Sequence, residues 1–151
     1  MPDATSNLES HLGYWLRFVS NHVSHAFRLK VEAHGVTVAE WVTMRALFDN
    51  SGVNPSEIAD RIGLTRGAVS KLVERLVKKD LVTCRAERKD RRYLRVGLTE
   101  SGRKLVPVLA GLADENDREF FGHLRDAERA NLTAVLRNIV DRQGLKVVPV
   151  D

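Results

Sequence analysis

The spacing of apolar residues predicts a mainly α-helical chain. Between Leu8 and about Val31, apolar side chains recur at steps of three and four residues, which places them on one face of a helix. Further segments show the same periodicity, and the last of them follows Asp126. The second to fifth predicted helices each start at a residue that can cap a free backbone N–H, and Glu40 can complete a capping box at the first of these. The predicted caps are Thr37, Asn54, Thr65 and Thr99.

The pattern changes after Asp80, where two stretches alternate as β-strands do. Residues 81–84 and 93–98 are the predicted strands, and the polar, basic stretch 85–92 between them is the predicted tip of a β-hairpin. The resulting element order is α-α-α-α-β-β-α-α. Pro107 lies inside the fifth helix and is predicted to kink it near its start.

Residues 58–72 satisfy the constraints of a helix-turn-helix. Such a motif needs a small residue where the helices touch, a turn residue that tolerates positive φ, and an apolar residue pointing back from the second helix. Ala59, Gly63 and Val69 supply these three features in that order. With the hairpin behind it, this unit predicts a winged helix-turn-helix, although any pair of packed helices would share part of the pattern.

Positive charge is concentrated in the same part of the chain. The net charge is only +4, but residues 61–95 hold 12 Lys and Arg against 4 Asp and Glu. The rest of the chain holds 12 against 16 and is mildly acidic. This distribution suits a polyanionic partner such as nucleic acid. Taken by itself, the charge count fits a solvated charged surface equally well.

The outward face of the fourth helix carries the residues that a DNA major groove would meet. Arg66 is the best candidate for a base reader, because its guanidinium can pair bidentately with guanine. Gly67 and Ala68 are small enough for close approach, and Thr65 and Ser70 could donate to phosphate. Each of these could instead be an ordinary solvated residue. The candidates on this helix are Thr65, Arg66, Gly67, Ala68, Ser70, Lys71, Arg75 and Lys78.

The predicted hairpin tip is a second candidate for DNA contact. Four cations within six residues repel one another unless a polyanion neutralises them, and an arginine at such a tip could enter a narrow minor groove. Asp90 would be repelled by phosphate, so we expect it to hold a neighbouring arginine extended. The alternative is a charged but merely soluble loop. The candidates here are Arg88, Lys89, Asp90, Arg91 and Arg92.

Three stretches resemble the MarR family of bacterial transcription regulators: residues 55–59 (PSEIA), residues 65–76 (TRGAVSKLVERL), and residues 90–92 (DRR) with the following VGLT and Gly102. The helix order also fits, so the resemblance covers nearly the whole chain. The family usually has Asp and Arg where this chain has Glu87 and Lys89, and both differences preserve charge.

The resemblance implies a homodimer that binds double-stranded DNA. In the family the first helix and the last two form the dimer, which here assigns residues 1–36 and 99–144 to a dimerisation region. Residues 37–98 would be the DNA-binding lobe and residues 145–151 a tail. Each fourth helix would enter a major groove of a pseudo-palindromic site, with half-sites about one helical turn apart. The apolar stripes of the terminal helices independently favour a dimer, because one small lobe cannot cover them.

The resemblance also implies a small-molecule effector. Many members of the family release DNA when a phenolic or carboxylated compound binds between the dimer helices and the DNA-binding lobe. Arg17 could pair with a carboxylate, and the tryptophans could stack on a ring. The alternative is that Trp15, Trp41 and Met44 are ordinary core residues. The candidate effector residues are Trp15, Arg17, His22, His25, Trp41, Met44 and Arg45.

Other kinds of site are poorly represented in the sequence. His22 and His25 have no carboxylate or cysteine at convincing ligand spacing, so no metal site and no cofactor are expected. Cys84 is the only cysteine; it lies in a predicted strand and is either a small buried residue or, less readily, a redox sensor. No Ser/His/Asp set, phosphate-binding loop or Cys/His cluster indicates an enzyme.

Two other expectations concern location and the competing function. No apolar stretch is long enough to span a membrane and the N-terminus is unlike a signal peptide, so a cytoplasmic protein is expected. The competing function is a winged-helix module that binds protein or RNA. Tyr93 is the only aromatic residue in the basic segment, which argues against an RNA reader that stacks bases.

Overall fold

The computed structural model describes residues 4–50, 52–87 and 90–146, and their side chains except those of residues 87 and 90–93. The described helices and strands follow the predicted order. They are α1 (Leu12–Glu32), α2 (Val38–Phe48), α3 (Pro55–Ile62), α4 (Arg66–Lys78), β1 (Val82–Glu87), β2 (Asp90–Leu98), α5 (Glu100–Phe121) and α6 (Asp126–Gln143). None of the helices in this part of the chain is long and apolar enough to cross a membrane.

The predicted helix starts are confirmed by their capping hydrogen bonds. The Thr37 hydroxyl accepts from the Glu40 N–H at 3.1 Å and the Glu40 carboxylate accepts from the Thr37 N–H at 3.0 Å, which completes the capping box. The side-chain oxygens of Asn54, Thr65 and Thr99 accept from backbone N–H groups at the starts of α3, α4 and α5. Each cap is worth about 1 kcal/mol of stability.

The first helix begins later than predicted. Residues Leu8–Ser10 form a separate 3-10 turn, and α1 starts at Leu12 because His11 between them is extended, with φ −92° and ψ 125°. The apolar periodicity continues across His11, so the sequence pattern does not show that the helix is interrupted there. The chain turns after α1 at Gly35, whose φ is +80°.

The helix-turn-helix is present as predicted. Gly63 ends α3 in the left-handed conformation, with φ +70°. Ala59 and Val69 are both buried at the contact between α3 and α4. The core that they join also contains Met44 and Leu47 of α2. The apolar face of α4 therefore packs against α2 and α3, and its polar face is left toward solvent.

The β-hairpin is longer than predicted. β1 and β2 pair in antiparallel fashion from Val82↔Leu98 to Ala86↔Leu94, with an irregularity between Ala86 and Glu87. The prediction of a polar loop over residues 85–92 was therefore wrong, because the ladder continues through Arg85 and Ala86, which are exposed and show no alternation of apolar and polar residues. Val53 adds a bridge to Val96, with N···O distances of 3.0 and 2.8 Å.

The long helix α5 connects the lobe to the terminal helices. Its residues Val106 and Leu109 are buried in the same core as Val31 of α1. Lys30 of α1 donates to Asn116 at 3.1 Å, and Asn116 in turn donates to the Val23 carbonyl at 3.2 Å. The helix runs on through Pro107. The kink at that residue stays a prediction.

Candidate nucleic-acid interface

The residues of α4 divide into a buried face and a solvent face. Val69, Leu72, Val73 and Leu76 are buried, at the three- and four-residue steps that one side of a helix requires. The predicted DNA-contacting residues lie between them, and all are exposed except Ala68, which is half-buried: Thr65, Arg66, Gly67, Ala68, Ser70, Lys71, Arg75 and Lys78. The structure therefore brings the whole predicted set together on one surface.

The cations of this face have few partners within the protein. In the described part of the chain, the side chains of Arg66, Lys71 and Arg75 form no hydrogen bond or ion pair. Lys78 lies 3.7 Å from Glu74, but both side chains are largely exposed, so the pair contributes little. A cationic face of this kind remains available to an external polyanion.

Gly67 in the first turn of α4 is not required by the protein's own packing. A Cβ atom added at this residue would meet nothing within 4 Å, and its φ is not positive. The Thr65 hydroxyl accepts from the Ala68 N–H at 3.1 Å and holds this turn in shape. The small side chains at the start of α4 thus leave open space on the outer side of the helix.

The hairpin can be assessed only in part. Arg88 and Lys89 lie outside the described residues, and so do the side chains of Asp90, Arg91 and Arg92. Nearer its base, Arg85 and Arg95 are exposed and face each other directly across the two strands. Like charges in opposite positions destabilise a strand pair unless a counter-charge is near.

Sequence reasoning did not single out Arg85 and Arg95 as site residues. The sequence pattern places residue 85 in the tip and residue 95 in a strand, and therefore does not predict that the two face each other. Predicting this pair requires the strand register, which depends on the position of the hairpin turn.

A buried ion pair behind α4 was also missed. Glu40 is fully buried, and the ammonium nitrogen of Lys79 lies 2.9 Å from each of its carboxylate oxygens. The hydrogen bond is directed at Oε1, whereas Oε2 is buried without a hydrogen-bond donor. Burial acts to raise the pKa of the Glu40 carboxyl, but hydrogen bonds from Lys79 and Thr37 outweigh it and the pKa lies below its usual value.

The predicted effector residues are not gathered into one enclosed site. Trp41 and Met44 are buried in the core. Trp15 is exposed along α1, where its Nε1 donates to the Glu9 carbonyl at 2.8 Å. Arg45 is exposed and pairs with Asp49 at 2.8 Å. The remaining members of the set, Arg17, His22 and His25, are exposed on α1.

An apolar groove of about 350 Å³ lies between α4 and the hairpin. Its lining includes Val73 and Val77 of α4 and Cys84 and Leu94 of the strands. The expectation that Cys84 is buried was wrong, because its side chain reaches this open groove and is exposed. Partial desolvation raises the pKa of the Cys84 thiol and disfavours the reactive thiolate.

No group of three or more metal-ligating side chains occurs among the described residues.

Known proteins resemble this chain over most of its length. The sequence profile of the MarR family matches residues 34–92. The HTH-type transcriptional regulator SarZ of Staphylococcus epidermidis is 26% identical over 143 residues, which cover 95% of each chain.

Two solved structures have the same fold. The structure of Bordetella bronchiseptica BpsR, which concerns regulation of its DNA binding by 6-hydroxynicotinic acid, has a TM-score of 0.79 at 25% identity and covers 91% of this chain and 99% of that one. The Staphylococcus aureus MepR–DNA complex has a TM-score of 0.79 at 25% identity and covers 87% of this chain and 98% of that one.

The observations agree from motif to fold. The helix-turn-helix is followed directly by the hairpin, and the similar structures share this fold over nearly their whole length. Residues 34–92 match the MarR family, and the chain is similar over nearly its whole length to transcriptional regulators that include MarR proteins; these findings support a DNA-binding transcriptional regulator rather than an enzyme.

Proposed function

We propose that the protein is a homodimeric repressor that binds a pseudo-palindromic operator and leaves it when a small aromatic carboxylate binds. The observation that carries the proposal is the exposed face of α4, where Arg66, Lys71 and Arg75 have no partner within the described residues. Cations without a partner in the protein are available to neutralise the phosphates of a duplex.

The DNA contacts divide by their position on α4 and the hairpin. Arg66, in the first turn, is the proposed base reader, since residues near the start of a recognition helix reach base edges. Lys78, near the other end, would contact phosphate. The hairpin would enter the adjacent minor groove. The proposed contacts are Thr65, Arg66, Gly67, Ala68, Ser70, Lys71, Arg75 and Lys78 on α4, with Arg88, Lys89, Arg91 and Arg92 on the hairpin and Asp90 in a supporting role.

Uncovered apolar surface on the terminal helices supports the dimer. The 18 residues of α6 include no buried one, and α1 exposes Leu12, Trp15 and Leu16. Exposed apolar side chains on both terminal helices are the kind of surface that a dimer partner covers. The interface would lie on the exposed apolar faces of the helices within residues 1–36 and 99–144, and residues 37–98 would form the DNA-binding lobe.

A small aromatic acid is the proposed effector. BpsR, which has the same fold, has its DNA binding regulated by 6-hydroxynicotinic acid, an aromatic carboxylate. In this chain Arg17 is exposed on α1 and would pair with the carboxylate. Of the other candidates, His22 and His25 are exposed on the same helix, whereas Trp41 and Met44 are buried in the core and would not contact the acid. The protein would act in the cytoplasm, where the chromosome lies.

The test is binding of the purified full chain to the DNA upstream of its own gene, against a scrambled duplex of equal length, across a salt series. We expect a sequence preference of at least about a thousandfold and a steep fall in affinity with salt. Steep salt dependence without preference would contradict a specific operator at that locus. Absence of duplex binding would favour a protein-interaction module instead.

The effector is tested on the same complex. Titration with 6-hydroxynicotinic acid, and then with other aromatic carboxylic acids, should release the DNA. The variant Arg17→Gln should require more of the acid while binding DNA as the wild type does. Equal release of both proteins would exclude Arg17 as the carboxylate partner.

A further inference from the structure

The turn that follows α4 is held by two different parts of the dimerisation region. We propose that residues 79–81 form a junction that sets the orientation of α4 relative to the dimer helices, and that Glu40 and Lys79 act there as positioning residues. The junction would thereby determine which half-site spacing the dimer accepts. This inference rests on the proposed dimeric function and adds to it a determinant of operator choice.

One side of the junction is attached to the connection between α1 and α2. The Lys79 ammonium donates at 2.9 Å to the carbonyl of Gly35, in the turn that ends α1, and at 2.9 Å to Glu40 in the first turn of α2. Glu40 is also held by the Thr37 N–H of the capping box. A single ammonium group thus ties the end of α4 to the turn after α1 and to the first turn of α2.

The other side of the junction is attached to the start of α5. The Thr99 hydroxyl donates to the Asp80 carbonyl at 2.7 Å, and the Thr99 N–H donates to the Leu81 carbonyl at 3.1 Å. Thr99 is also the cap of α5. Gly102, on the next turn, approaches so closely that a Cβ atom there would collide with the Leu81 carbonyl oxygen.

The backbone of the junction has little freedom to adjust. Asp80 is the only described non-glycine residue with positive φ, at +58°. The Leu81 N–H donates back to the Leu76 carbonyl at 3.0 Å and closes the end of α4. The two attachments therefore act on one stiff turn.

Stiffness here matters because a dimer reads two half-sites at once. One added base pair moves a half-site by about 3.4 Å and rotates it by about 34°. Neither change can be absorbed by hydrogen bonds if both α4 helices are rigidly mounted. A rigid junction predicts a sharp preference for one spacing, and a loosened junction predicts a broad one.

The test compares spacing preferences of full-chain variants. A duplex selected by the wild type from a random library is altered at its centre by inserting or deleting one base pair, and affinities are measured at one salt concentration. Lys79→Met and Glu40→Gln should each reduce the preference for the original spacing by about tenfold. Lys79→Arg, which keeps the charge, should retain most of it.

The two variants change net charge in opposite directions, which separates positioning from attraction. If Lys79 merely attracted phosphate, Lys79→Met would weaken binding at every spacing, Glu40→Gln would not, and the preference would persist; that result would overturn the inference. Lys104→Met is the matched control, since Lys104 is exposed on α5 and pairs only with Glu100 among the described residues. It should leave the preference intact.

The remaining outcomes are also decisive. A wild type with a sharp preference and variants with the same preference would overturn the inference and leave the proposed function standing. A wild type that binds every spacing equally would refute the paired operator and the inference together. Thermal unfolding checks that each variant folds. If Glu40→Gln does not fold, Lys79→Met can still be compared with Lys79→Arg, because the Lys79 side chain is partly exposed.

Discussion

The DNA-binding lobe and the terminal helices use the same amphipathic pattern with different results. In the lobe, Met44, Leu47 and Ile58 have no exposed surface and close a core within one chain. On the terminal helices, apolar side chains of similar size remain open, from Leu136 at 39% exposed to Leu12 at 78%. The comparison teaches that a hydrophobic stripe predicts burial but does not identify the partner that buries it.

The strongest test of this comparison places a charge on the open face of α6. Leu136→Glu should raise the dimer dissociation constant by at least about a hundredfold, because an uncompensated buried charge costs about 3–5 kcal/mol. Sedimentation equilibrium measures the constant. Ser101→Glu adds the same charge on an exposed residue of α5 and should leave it unchanged. A Leu136→Glu protein as dimeric as the wild type would show that this face is not the interface.

The next test concerns the place where the two regions meet. Gly102→Ala puts a methyl group against the Leu81 carbonyl and should lower the free energy of unfolding by about 1–3 kcal/mol. Gly111→Ala, on the same helix with open space around it, should raise it by about 0.5–1 kcal/mol. Urea unfolding at fixed protein concentration measures both. If both substitutions changed the free energy of unfolding equally, the backbone around Gly102 would move aside for the methyl group without cost.

Within the lobe, Arg66 and Lys78 test the assignment of base and phosphate contacts. Arg66→Ala should cost about 1–3 kcal/mol of binding and relax specificity at one base pair. Lys78→Ala should weaken binding to all sequences alike and reduce the salt slope by about one. Competition binding with single-base operator variants distinguishes them. Equal, sequence-blind losses in both variants would refute the proposed orientation of α4.

The smallest expected effect separates folding from binding at one residue. Gly67→Ala should raise the free energy of unfolding by roughly 0.5 kcal/mol, since the protein leaves space for the methyl group. It should nevertheless lower affinity for DNA, because the added group occupies the surface that the duplex approaches. Urea unfolding and duplex titration give the two values. A rise in both would show that DNA does not come close to this turn.

Local features were predictable because their causes lie within a few residues. The caps at Thr37, Thr65 and Thr99 each depend on a hydroxyl and an N–H three residues apart. The helix-turn-helix depends on Ala59 and Gly63, whose small size matters at any packed turn of this kind. The exposed face of α4 followed from the same periodicity, since the side opposite a buried stripe must face outward.

Features that depend on distant partners were not predictable. The predicted hairpin was too short because its strands continue through exposed residues, Arg85 and Ala86, which show no alternating apolar pattern. Cys84 was expected inside the lobe, and only the hairpin packing put it in an open groove. Glu40 was correctly identified as part of a capping box, but its ion pair with Lys79 joins residues that are 39 positions apart.

The sequence by itself determined the element order, the helix caps, the helix-turn-helix and the polar face of α4, because each depends on periodicity or on contacts between near neighbours. Tertiary structure alone decided which apolar stripes close a core within the chain, how far the hairpin extends, and how the end of α4 is attached to α1, α2 and α5. The physical reason is that packing joins residues far apart in sequence, and the amphipathic pattern of a helix does not specify which surface will cover its apolar face.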